Sequence, residues 1–295
     1  MSSAPILVTG GAGQLATALA DLGGARVVRV GRPLLDFDRP ESLDAAVAAH
    51  APALVVNAAA WTAVDAAEAE PDAASRANAD GPARLAQLCA ARGIPLLHLS
   101  TDYVFDGLKG APYVESDATN PTGVYGRTKL AGEERALAAA DRVTVLRTSW
   151  VYSPIGKNFV RTMLGAAARG VPLRVVADQQ GCPTSARDLA AAVLHVAHRA
   201  LAGWRPEYRG VFHAAGTGDT TWHGLALAVL EEAARHGRPM PEVMPITTAD
   251  WPTPARRPPD SRLDCARLAD VFGARLPPWR EGVARTVEAL LAPVA

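Results

Sequence analysis

A tyrosine and a lysine four residues apart are the first candidates for chemistry in this sequence. Tyr125 and Lys129 lie in the segment PTGVYGRTK, at the start of a pattern typical of a helix. Residues four apart share one helix face, so the phenol and the ammonium are expected side by side. A free tyrosine has a pKa of about 10, and a neighbouring ammonium should lower that pKa. Tyr125 could then give its proton to a carbonyl oxygen as hydride reaches the carbon.

A second group of polar residues favours this catalytic interpretation over an ordinary exposed Tyr–Lys pair, which the spacing alone allows. Ser100, Thr101 and Asp102 follow an apolar run that is predicted to be a strand. In an open α/β sheet, ligands bind beyond the carboxyl ends of the strands. A hydroxyl of Ser100 or Thr101 is therefore expected to meet Tyr125 over one substrate oxygen.

A glycine-rich turn near the start of the chain predicts a nucleotide site. The segment TGGAGQLA (9–16) connects a predicted strand to a predicted helix. Glycines let the backbone approach a pyrophosphate, and a helix N-terminus offers free N–H groups. The spacing is TGxxGxxA rather than GxGxxG, so a turn without a ligand is the alternative interpretation.

The coenzyme preference should depend on the residues after the second strand. An acid there would hold the ribose hydroxyls of NAD, whereas an arginine accommodates the additional phosphate of NADP. This chain has Arg32 at that point and no acid before Asp36. The sequence therefore favours NADPH, with NADH possible, and an ordinary solvated arginine is the alternative.

Short apolar runs that alternate with alanine-rich helical patterns predict the framework for these residues. The predicted strands of the first half are 6–9, 26–30, 53–57, 96–100 and 143–147, and the predicted helices are 14–21, 41–50 and 72–92. Several of the strands are continuously apolar, as a parallel sheet covered on both faces requires. We therefore predict an α/β fold with a Rossmann-type doubly wound parallel sheet.

The second half of the chain has a looser order of elements. Helices are predicted at 158–169, 187–201 and 222–235, strands at 173–176, 211–214 and 243–246, and two short helices near the C-terminus. Residues 1–150 and about 172–216 are predicted to form the dinucleotide-binding domain. Residues about 151–171 and 217–295 are predicted to form a smaller, discontinuous substrate domain.

Composition excludes several classes of partner and compartment. The 295 residues include 30 Lys+Arg and 30 Asp+Glu, so no overall charge attracts nucleic acid or an anionic membrane. The three cysteines are far apart, which argues against a disulfide framework or a zinc site. We find neither a signal peptide nor an apolar run of roughly 20 residues. The expected protein is cytoplasmic, with no nucleic-acid or membrane partner.

Seven segments, taken together and in order, resemble the RmlD-type dTDP-4-dehydrorhamnose reductases among the extended short-chain dehydrogenases. They are VTGGAGQLA (8–16), VVNAAAWTAVDAAE (55–68), HLSTDYVFDG (98–107), PYVESDATNPTGVYGRTKLAGEE (112–134), LRTSWVYS (146–153), DQQGCPTSARDLA (178–190) and TPARRPPDSRLDC (253–265). The resemblance implies NAD(P)H-dependent reduction of the 4-keto group of dTDP-4-dehydro-L-rhamnose to dTDP-L-rhamnose. The alternatives are reduction of another dTDP-deoxysugar, sugar epimerisation with a retained coenzyme, and a non-catalytic regulatory subunit of the same fold.

The resemblance also implies roles for individual residues. Tyr125 would be the proton donor, Lys129 its partner at the nicotinamide ribose, and Thr101 a contact to both the tyrosine and the substrate. The implied cofactor contacts are Gly10, Gly13, Gln14 and Leu15 at the pyrophosphate, Asp36 and Phe37 at the adenine, and Ala58, Ala59 and Ala60 beside the ribose. The implied substrate contacts are Asp102, Trp150, Asn158, Arg257 and Ser261.

Two residues depart from the family pattern. Ala18 stands where some members have a glutamate that helps to bind magnesium at a dimer contact. No metal site is therefore predicted, and the chain is expected to be a monomer or a weak homodimer. Trp61 stands where the family often has tyrosine, beside the expected cofactor.

Overall fold

A parallel six-stranded sheet organises the computed structural model, which describes residues 4–170 and 172–292. In these ranges the strands are β1 (Ile6–Thr9), β2 (Val27–Val30), β3 (Leu54–Asn57), β4 (Leu96–Thr101), β5 (Val143–Thr148), β6 (Val151–Tyr152), β7 (Leu173–Val176), β8 (Gln180–Gly181), β9 (Thr184–Ser185), β10 (Gly210–His213), β11 (Thr220–Thr221) and β12 (Val243–Ile246). The sheet has the order β10-β5-β4-β3-β1-β2, so the direction of winding reverses between β1 and β3. The predicted Rossmann-type doubly wound fold is confirmed.

Most of the predicted helices are present, with ends shifted by a few residues. The helices are α1 (Gln14–Gly23), α2 (Pro40–His50), α3 (Val64–Ala69), α4 (Pro71–Ser75), α5 (Gly81–Ala91), α6 (Val124–Ala139), α7 (Phe159–Ala167), α8 (Ala186–Ala202), α9 (Trp222–Arg235), α10 (Ala266–Phe272) and α11 (Trp279–Leu291). Among the described residues, no helix combines the length and apolar character needed to cross a membrane.

The helix predicted over residues 72–92 is interrupted by a π-helical turn at Arg76–Asp80. The turn directs the side chain of Asn78 to the backbone of Trp61. The Asn78 Oδ1 accepts from the Trp61 N–H at 2.8 Å, and its Nδ2 donates to the Trp61 carbonyl at 3.1 Å. A π-turn inside a helix commonly serves a local packing or functional requirement. Here it fixes the segment that follows β3.

Apolar helices cover both faces of the sheet, which explains the continuously apolar strands. One buried cluster joins the sheet to α1, α8 and α10, and the other joins it to α2, α5 and α6. All four residues of β3 are buried, because successive side chains of a central strand point to opposite covered faces. The carboxyl ends of the strands are therefore left as the open edge of the sheet.

A separate buried cluster lies outside the sheet and unites α7, α9 and α11 with β7. Strand β7 pairs in parallel with β12, as a two-stranded sheet of its own. Most of the C-terminal elements belong to this cluster. Helix α10 is different, because Leu268 and Phe272 pack into the cluster on the main sheet. That helix lies within residues 217–295, the range predicted for the substrate domain.

Candidate functional site

The glycine-rich turn lies at the point where the winding of the sheet reverses. Gly10 has φ +105°, and a Cβ added there would lie 3.0 Å from the carbonyl oxygen of Ala58. The Gly13 N–H donates to the Gly10 carbonyl at 2.9 Å, which closes the turn immediately before α1. The backbone of the turn therefore runs against the segment after β3. This contact places Gly10 beside Ala58 and Ala59, and Gly13, Gln14 and Leu15 follow at the start of α1.

A chain of buried hydrogen bonds fixes the strand ends beneath this turn. The Thr9 hydroxyl donates to the Asn57 Oδ1 at 2.6 Å, and the Asn57 amide bonds His98 Nδ1 at 3.0 Å. The Ala59 N–H donates to the Thr9 hydroxyl at 3.1 Å. Burial, followed by the charge of Lys129, holds the pKa of His98 well below its usual range. The neutral imidazole is therefore the last member of a buried hydrogen-bond network that connects the ends of β1, β3 and β4.

Gln14 connects the glycine-rich turn to the segment that leads into α7. Its Oε1 accepts from the Ser153 hydroxyl at 2.8 Å and from the Asn158 amide at 3.0 Å. Asn158 also donates to the Ser153 carbonyl at 2.9 Å, and its Oδ1 accepts from the Arg161 N–H at 3.2 Å. The side chain of Asn158 is thus occupied within the protein. Only the second lone pair of its Oδ1 is left for a substrate donor.

An exposed cluster of charges stands where β2 ends. Arg32 Nε donates to the Asp36 carboxylate at 3.0 Å, and its guanidinium also reaches Asp38 at 2.9 Å. Arg76 donates to Asp38 at 2.8 Å, and this hydrogen bond is the main reason why the pKa of Asp38 is lowered. The side chain of Arg32 is 68% exposed. It is therefore paired with carboxylates and still accessible to a phosphate.

Phe37 lies behind this cluster, against the start of α5. A Cβ added at Gly81 would lie 2.4 Å from the Phe37 ring, so only glycine allows the ring to take this position. Phe37 is half-buried and packs at the edge of the apolar cluster that joins the sheet to α2, α5 and α6. The ring is thereby held against α5, in the residue that follows Asp36.

Thr101 and Tyr125 meet at the end of β4. The Thr101 hydroxyl donates to Asp102 Oδ1 at 3.0 Å and accepts from the Tyr103 N–H at 3.2 Å. A hydrogen bond between the Thr101 and Tyr125 side chains lowers the pKa of the phenol. Ser100 instead turns to the opposite side and donates to Glu133 at 2.5 Å. Of the two candidate hydroxyls, Thr101 is the one that accompanies Tyr125.

The pKa of Tyr125 moves in the opposite direction to the one expected from its lysine neighbour. Burial raises the pKa of Tyr125 to about 12, and the negative charge of Asp102 adds to this effect. The Lys129 ammonium donates to the Leu99 carbonyl at 2.6 Å, and burial lowers the pKa of Lys129 to about 8. The expected depression was wrong, because burial raises the pKa of the phenol and the Lys129 ammonium is directed to the Leu99 carbonyl. The phenol therefore keeps its proton at neutral pH, as a proton donor requires.

Asp102 presents a buried carboxylate oxygen next to Thr101. Its side chain is almost fully buried, and its Oδ2 has no hydrogen-bond partner within the described part of the chain. Burial raises the pKa of Asp102 to about 7, opposed by hydrogen bonding to Ser261 and Thr101. Ser261 is itself buried and lies beside β8, with its N–H donating to the Gln180 carbonyl at 2.9 Å. Two predicted substrate contacts are therefore adjacent in space.

Trp150 forms an aromatic wall with Trp222. The two rings stack with centroids 3.5 Å apart and an angle of 7° between their planes. A Cβ at Gly181 would lie 2.5 Å from the Trp150 ring, so the ring is held between Trp222 and the β8 backbone. Trp150 also has φ +48°, a rare conformation for a bulky residue, and such strain concentrates at functional sites. No local pattern in the sequence pairs Trp222 with Trp150, because the two residues are far apart along the chain.

Arg257 connects the segment TPARRPPDSRLDC (253–265), called here the proline-rich loop, to α3. Its guanidinium pairs with the Asp65 carboxylate at 2.8 and 3.1 Å, and it also donates to the Ala255 carbonyl at 3.1 Å. The hydrogen bond from Arg257 is the main cause of the lowered pKa of Asp65. Asp65 was not singled out in the sequence, because its partner is far away along the chain. The charge of Arg257 is balanced, and its side chain remains partly exposed.

Comparison with known proteins identifies relatives over nearly the whole chain. The family model of the RmlD substrate binding domain matches residues 4–292. A dTDP-4-dehydrorhamnose reductase of Sinorhizobium fredii is 46% identical over 291 residues, which are 97% of each chain. A probable dTDP-4,6-dihydroxy-2-methyloxan-3-one 4-ketoreductase of Streptomyces antibioticus is 42% identical, with 97% of this chain and 95% of that protein covered.

Solved structures show the same fold in proteins of the same description. The dTDP-4-dehydrorhamnose reductase of Clostridium acetobutylicum has a TM-score of 0.90 and 34% identity, with 98% of this chain and 100% of that chain covered. The dTDP-4-dehydrorhamnose reductase of Bacillus anthracis, in complex with NADP, has a TM-score of 0.87 and 29% identity, with coverage of 97% and 99%. The chain therefore belongs to the RmlD family of dTDP-4-dehydrorhamnose reductases.

Proposed function

We propose that this protein uses NADPH to reduce the 4-keto group of dTDP-4-dehydro-L-rhamnose to the hydroxyl of dTDP-L-rhamnose. The proposal rests above all on the meeting of Thr101 and Tyr125 at the open edge of the sheet that also carries the glycine-rich turn. Family membership supports the choice of reaction, and the NADP complex of the Bacillus anthracis relative supports the coenzyme.

The residues at the reversal point of the sheet fit a dinucleotide. Gly10 and Gly11 both have positive φ, and a Cβ at either position would press on neighbouring backbone, so glycine allows the close turn at which a pyrophosphate would bind. Gly10, Gly13, Gln14 and Leu15 would hold the pyrophosphate, Arg32, Asp36 and Phe37 the adenosine, Ala58, Ala59 and Ala60 the adjoining ribose, and Lys129 the nicotinamide ribose. When bound, the coenzyme supplies the hydride.

Tyr125 provides the proton that balances this hydride. Its hydroxyl is protonated at neutral pH and can pass the proton to the carbonyl oxygen of the substrate. Thr101 orients that oxygen from the strand side when its hydroxyl turns its proton from Asp102 to the carbonyl, while the Tyr103 N–H keeps the Thr101 oxygen in place. The ammonium of Lys129, fixed by the Leu99 carbonyl, stabilises the phenolate that remains.

The substrate lies, in this proposal, between the strand edge and the C-terminal elements. Asp102 offers its unpartnered oxygen to a sugar hydroxyl, and Trp150 provides a flat apolar wall. Ser261 and Arg257 would contact the substrate from the proline-rich loop. Asn158 would contact it from the start of α7, where its amide also bonds Gln14. Residues 1–150 and about 172–216 form the cofactor domain, apart from β7, which pairs with β12 and packs in the cluster of α7, α9 and α11. Residues about 151–171 and 217–295 form the substrate domain, apart from α10, which packs on the sheet.

The test is an assay of NADPH oxidation with enzymatically prepared dTDP-4-dehydro-L-rhamnose. We expect substrate-dependent oxidation, and NMR of the product should show the configuration of L-rhamnose at carbon 4. A parallel assay with NADH measures the coenzyme preference. Absence of NADPH and NADH oxidation with this substrate would contradict the proposal.

A second candidate is the reduction of a different dTDP-deoxysugar. The 42% identity to the Streptomyces antibioticus ketoreductase favours it, because that relative is as similar as many rhamnose-forming ones. Both candidates use the same Thr101 and Tyr125 pair and differ in the sugar that fits beside Trp150. Side-by-side values of kcat/KM for several dTDP-4-keto sugars distinguish them.

We further propose that the protein works in the cytoplasm as a monomer or weak homodimer, without nucleic acid or membrane. The three cysteines are unpaired in the structure, and the chain has no net formal charge. Sedimentation at several protein concentrations tests the association state. A stable oligomer at all concentrations would contradict this proposal.

A further inference from the structure

A buried ion pair lies beneath the face of α6 that carries Tyr125 and Lys129. The Arg147 guanidinium, on β5, contacts the Glu133 carboxylate at 2.6, 3.0 and 3.1 Å. The two side chains are only 4% and 2% exposed. Ser100 donates a further hydrogen bond to Glu133. The reaction proposed above uses none of these three residues.

The position of this pair connects it to the proposed catalytic residues on both sides. Tyr125, Lys129 and Glu133 are spaced four apart, so they follow one another along one face of α6. On the sheet, Arg147 of β5 is opposite Ser100 of β4, the residue before Thr101. The pair therefore lies one helical turn beyond the ammonium and one residue from the threonine.

Stability alone does not account for a pair in this place. Transfer of two charges from water into a protein interior is costly, and apolar residues of similar volume often stabilise a core equally well. The pair does compensate for another buried charge. Lys129 is 2% exposed, and the hydrogen bond it makes goes to the uncharged carbonyl of Leu99. A buried ammonium of this kind tends to lose its proton unless a negative charge is close.

We infer that Glu133 is a positioning residue that keeps Lys129 charged and in place, and that Arg147 holds the Glu133 carboxylate in position. This inference rests on the proposed function, in which the charge of Lys129 stabilises the phenolate of Tyr125. The electrostatic effect of Glu133 on Lys129 raises the pKa of the lysine and opposes the effect of burial.

The other charged or titratable groups around this face leave Glu133 as the group that supports the lysine charge. Such groups on the elements packed against α6 include His98 on β4, Asp102 after β4, Arg147 on β5 and Glu68 on α3. His98 is neutral, and the charge of Asp102 acts on Tyr125. Glu68 is engaged at the start of α6, where its carboxylate accepts from the Val124 N–H at 2.7 Å.

The charge of Lys129 can be followed directly, because the sequence has only three lysines, Lys109, Lys129 and Lys157. Carbon-13 labelling of the lysine side chains gives few NMR signals, and a Lys129→Met variant assigns the one of interest. Titration of that signal with pH reports the ionisation of Lys129 without any substrate. The same protein samples can then be assayed for the pH dependence of kcat/KM.

Two variants separate a positioning role from a structural one. Glu133→Gln removes the negative charge and leaves Arg147 unpaired, whereas Glu133→Gln with Arg147→Met removes the whole pair. We expect the lysine titration to move to lower pH in both, and the alkaline fall of kcat/KM to move with it. A shift of one pH unit would reduce kcat/KM about tenfold on the alkaline side. The double variant should regain most of the stability lost by the single variant.

The outcomes distinguish failure of the inference from failure of the proposed function. An unchanged lysine titration in the double variant would overturn the inference, because Glu133 would then only fill space. A lysine titration that moves as expected, in a wild-type protein that does not reduce any dTDP-4-keto sugar, would support the electrostatic link and reject the proposed reaction.

Discussion

Two clusters of charge at the same edge of the sheet differ in their access to water. Beneath α6, Arg147 and Glu133 contact each other at 2.6 Å and are 4% and 2% exposed. At the end of β2, Arg32 and Asp38 contact each other at 2.9 Å and are 68% and 45% exposed. The contact distances are similar, but only the exposed pair retains most of its hydration. Equal geometry therefore does not mean equal energy.

The difference suits the two tasks that we propose for these clusters. An exposed pair is screened by water and contributes between zero and about 1 kcal/mol, so Arg32 can exchange a carboxylate for a phosphate at little cost. A buried pair is hard to rearrange, because separating its charges leaves one of them unsolvated. We therefore assign recognition of the coenzyme phosphate to the exposed Arg32 cluster. Electrostatic support of the reaction is assigned to the buried Arg147–Glu133 pair.

The largest effect is expected from Tyr125→Phe, which removes the proposed reaction chemistry and leaves both charge clusters intact. Loss of a proton donor typically reduces turnover by about 10²- to 10⁴-fold. The dissociation constant for NADPH, measured by fluorescence titration, should stay near the wild-type value. Turnover close to that of the parent enzyme would disprove the role of the phenol.

Arg147→Met tests the buried side of the comparison, with Arg32→Met as its matched control. We expect Arg147→Met to lower the free energy of unfolding by about 3–5 kcal/mol, because Glu133 is left as an unpaired buried charge. Arg32→Met should lower it by less than about 1 kcal/mol, since its partners remain solvated. Urea unfolding monitored by circular dichroism measures both values. Similar losses of unfolding free energy in the two variants would show that the buried and the exposed pair contribute equally to stability.

A pH-dependent effect is expected from Asp102→Asn. In the folded protein, burial raises the pKa of Asp102 to about 7, above its ordinary value of 3.8. Between these values the folded protein holds a proton that the unfolded chain has released, so stability declines as the pH rises through about 7. An asparagine cannot ionise and avoids this loss. Relative to the parent, the variant should gain stability from about pH 5 to about pH 8, by an amount on the order of a few kcal/mol.

Unfolding midpoints of the parent and of Asp102→Asn at both pH values measure this gain. If the difference between the two proteins were the same at both pH values, the buried carboxyl would be ionised throughout. Asp102 would then ionise as an exposed carboxyl does, in spite of its burial.

The smallest effect is expected from Arg32→Met on the choice of coenzyme. Loss of one exposed charge contact of about 1 kcal/mol should raise KM for NADPH roughly fivefold. The KM for NADH should change little, because NADH has no phosphate at that position. An equal increase for both coenzymes would show that Arg32 does not discriminate between them.

Local patterns in the sequence were sufficient to predict the framework and the position of the main groups. Strand β1 was predicted with its observed ends, and the first helix, the returning strand β10 and helix α9 were predicted within a few residues. Such features depend on the local periodicity of apolar residues and on glycine in tight turns, which a single sequence records. The four-residue spacing of Tyr125 and Lys129 is likewise a local property of one helix.

The individual contacts of the site were harder to predict from the sequence, because they join residues far apart along the chain. Gln14 bonds Asn158 across 144 positions, and Arg257 pairs with Asp65 across 192. Helix propensities over residues 72–92 gave no sign of the π-turn, whose Asn78 makes its hydrogen bonds to Trp61. No local pattern records which polar group a folded chain will bring to another.

The electrostatics of the site depend on how the whole fold packs. From the sequence, Lys129 was expected to lower the pKa of Tyr125, whereas the fold leaves Tyr125 half-buried beside the buried Lys129 and raises the pKa of the phenol to about 12. Burial is set by every element that packs on α6 and the strand ends, and the cost of removing water from a charge exceeds the influence of one neighbour. The spacing of residues in the sequence identified the reacting groups, and the packing of the fold around them determined their protonation.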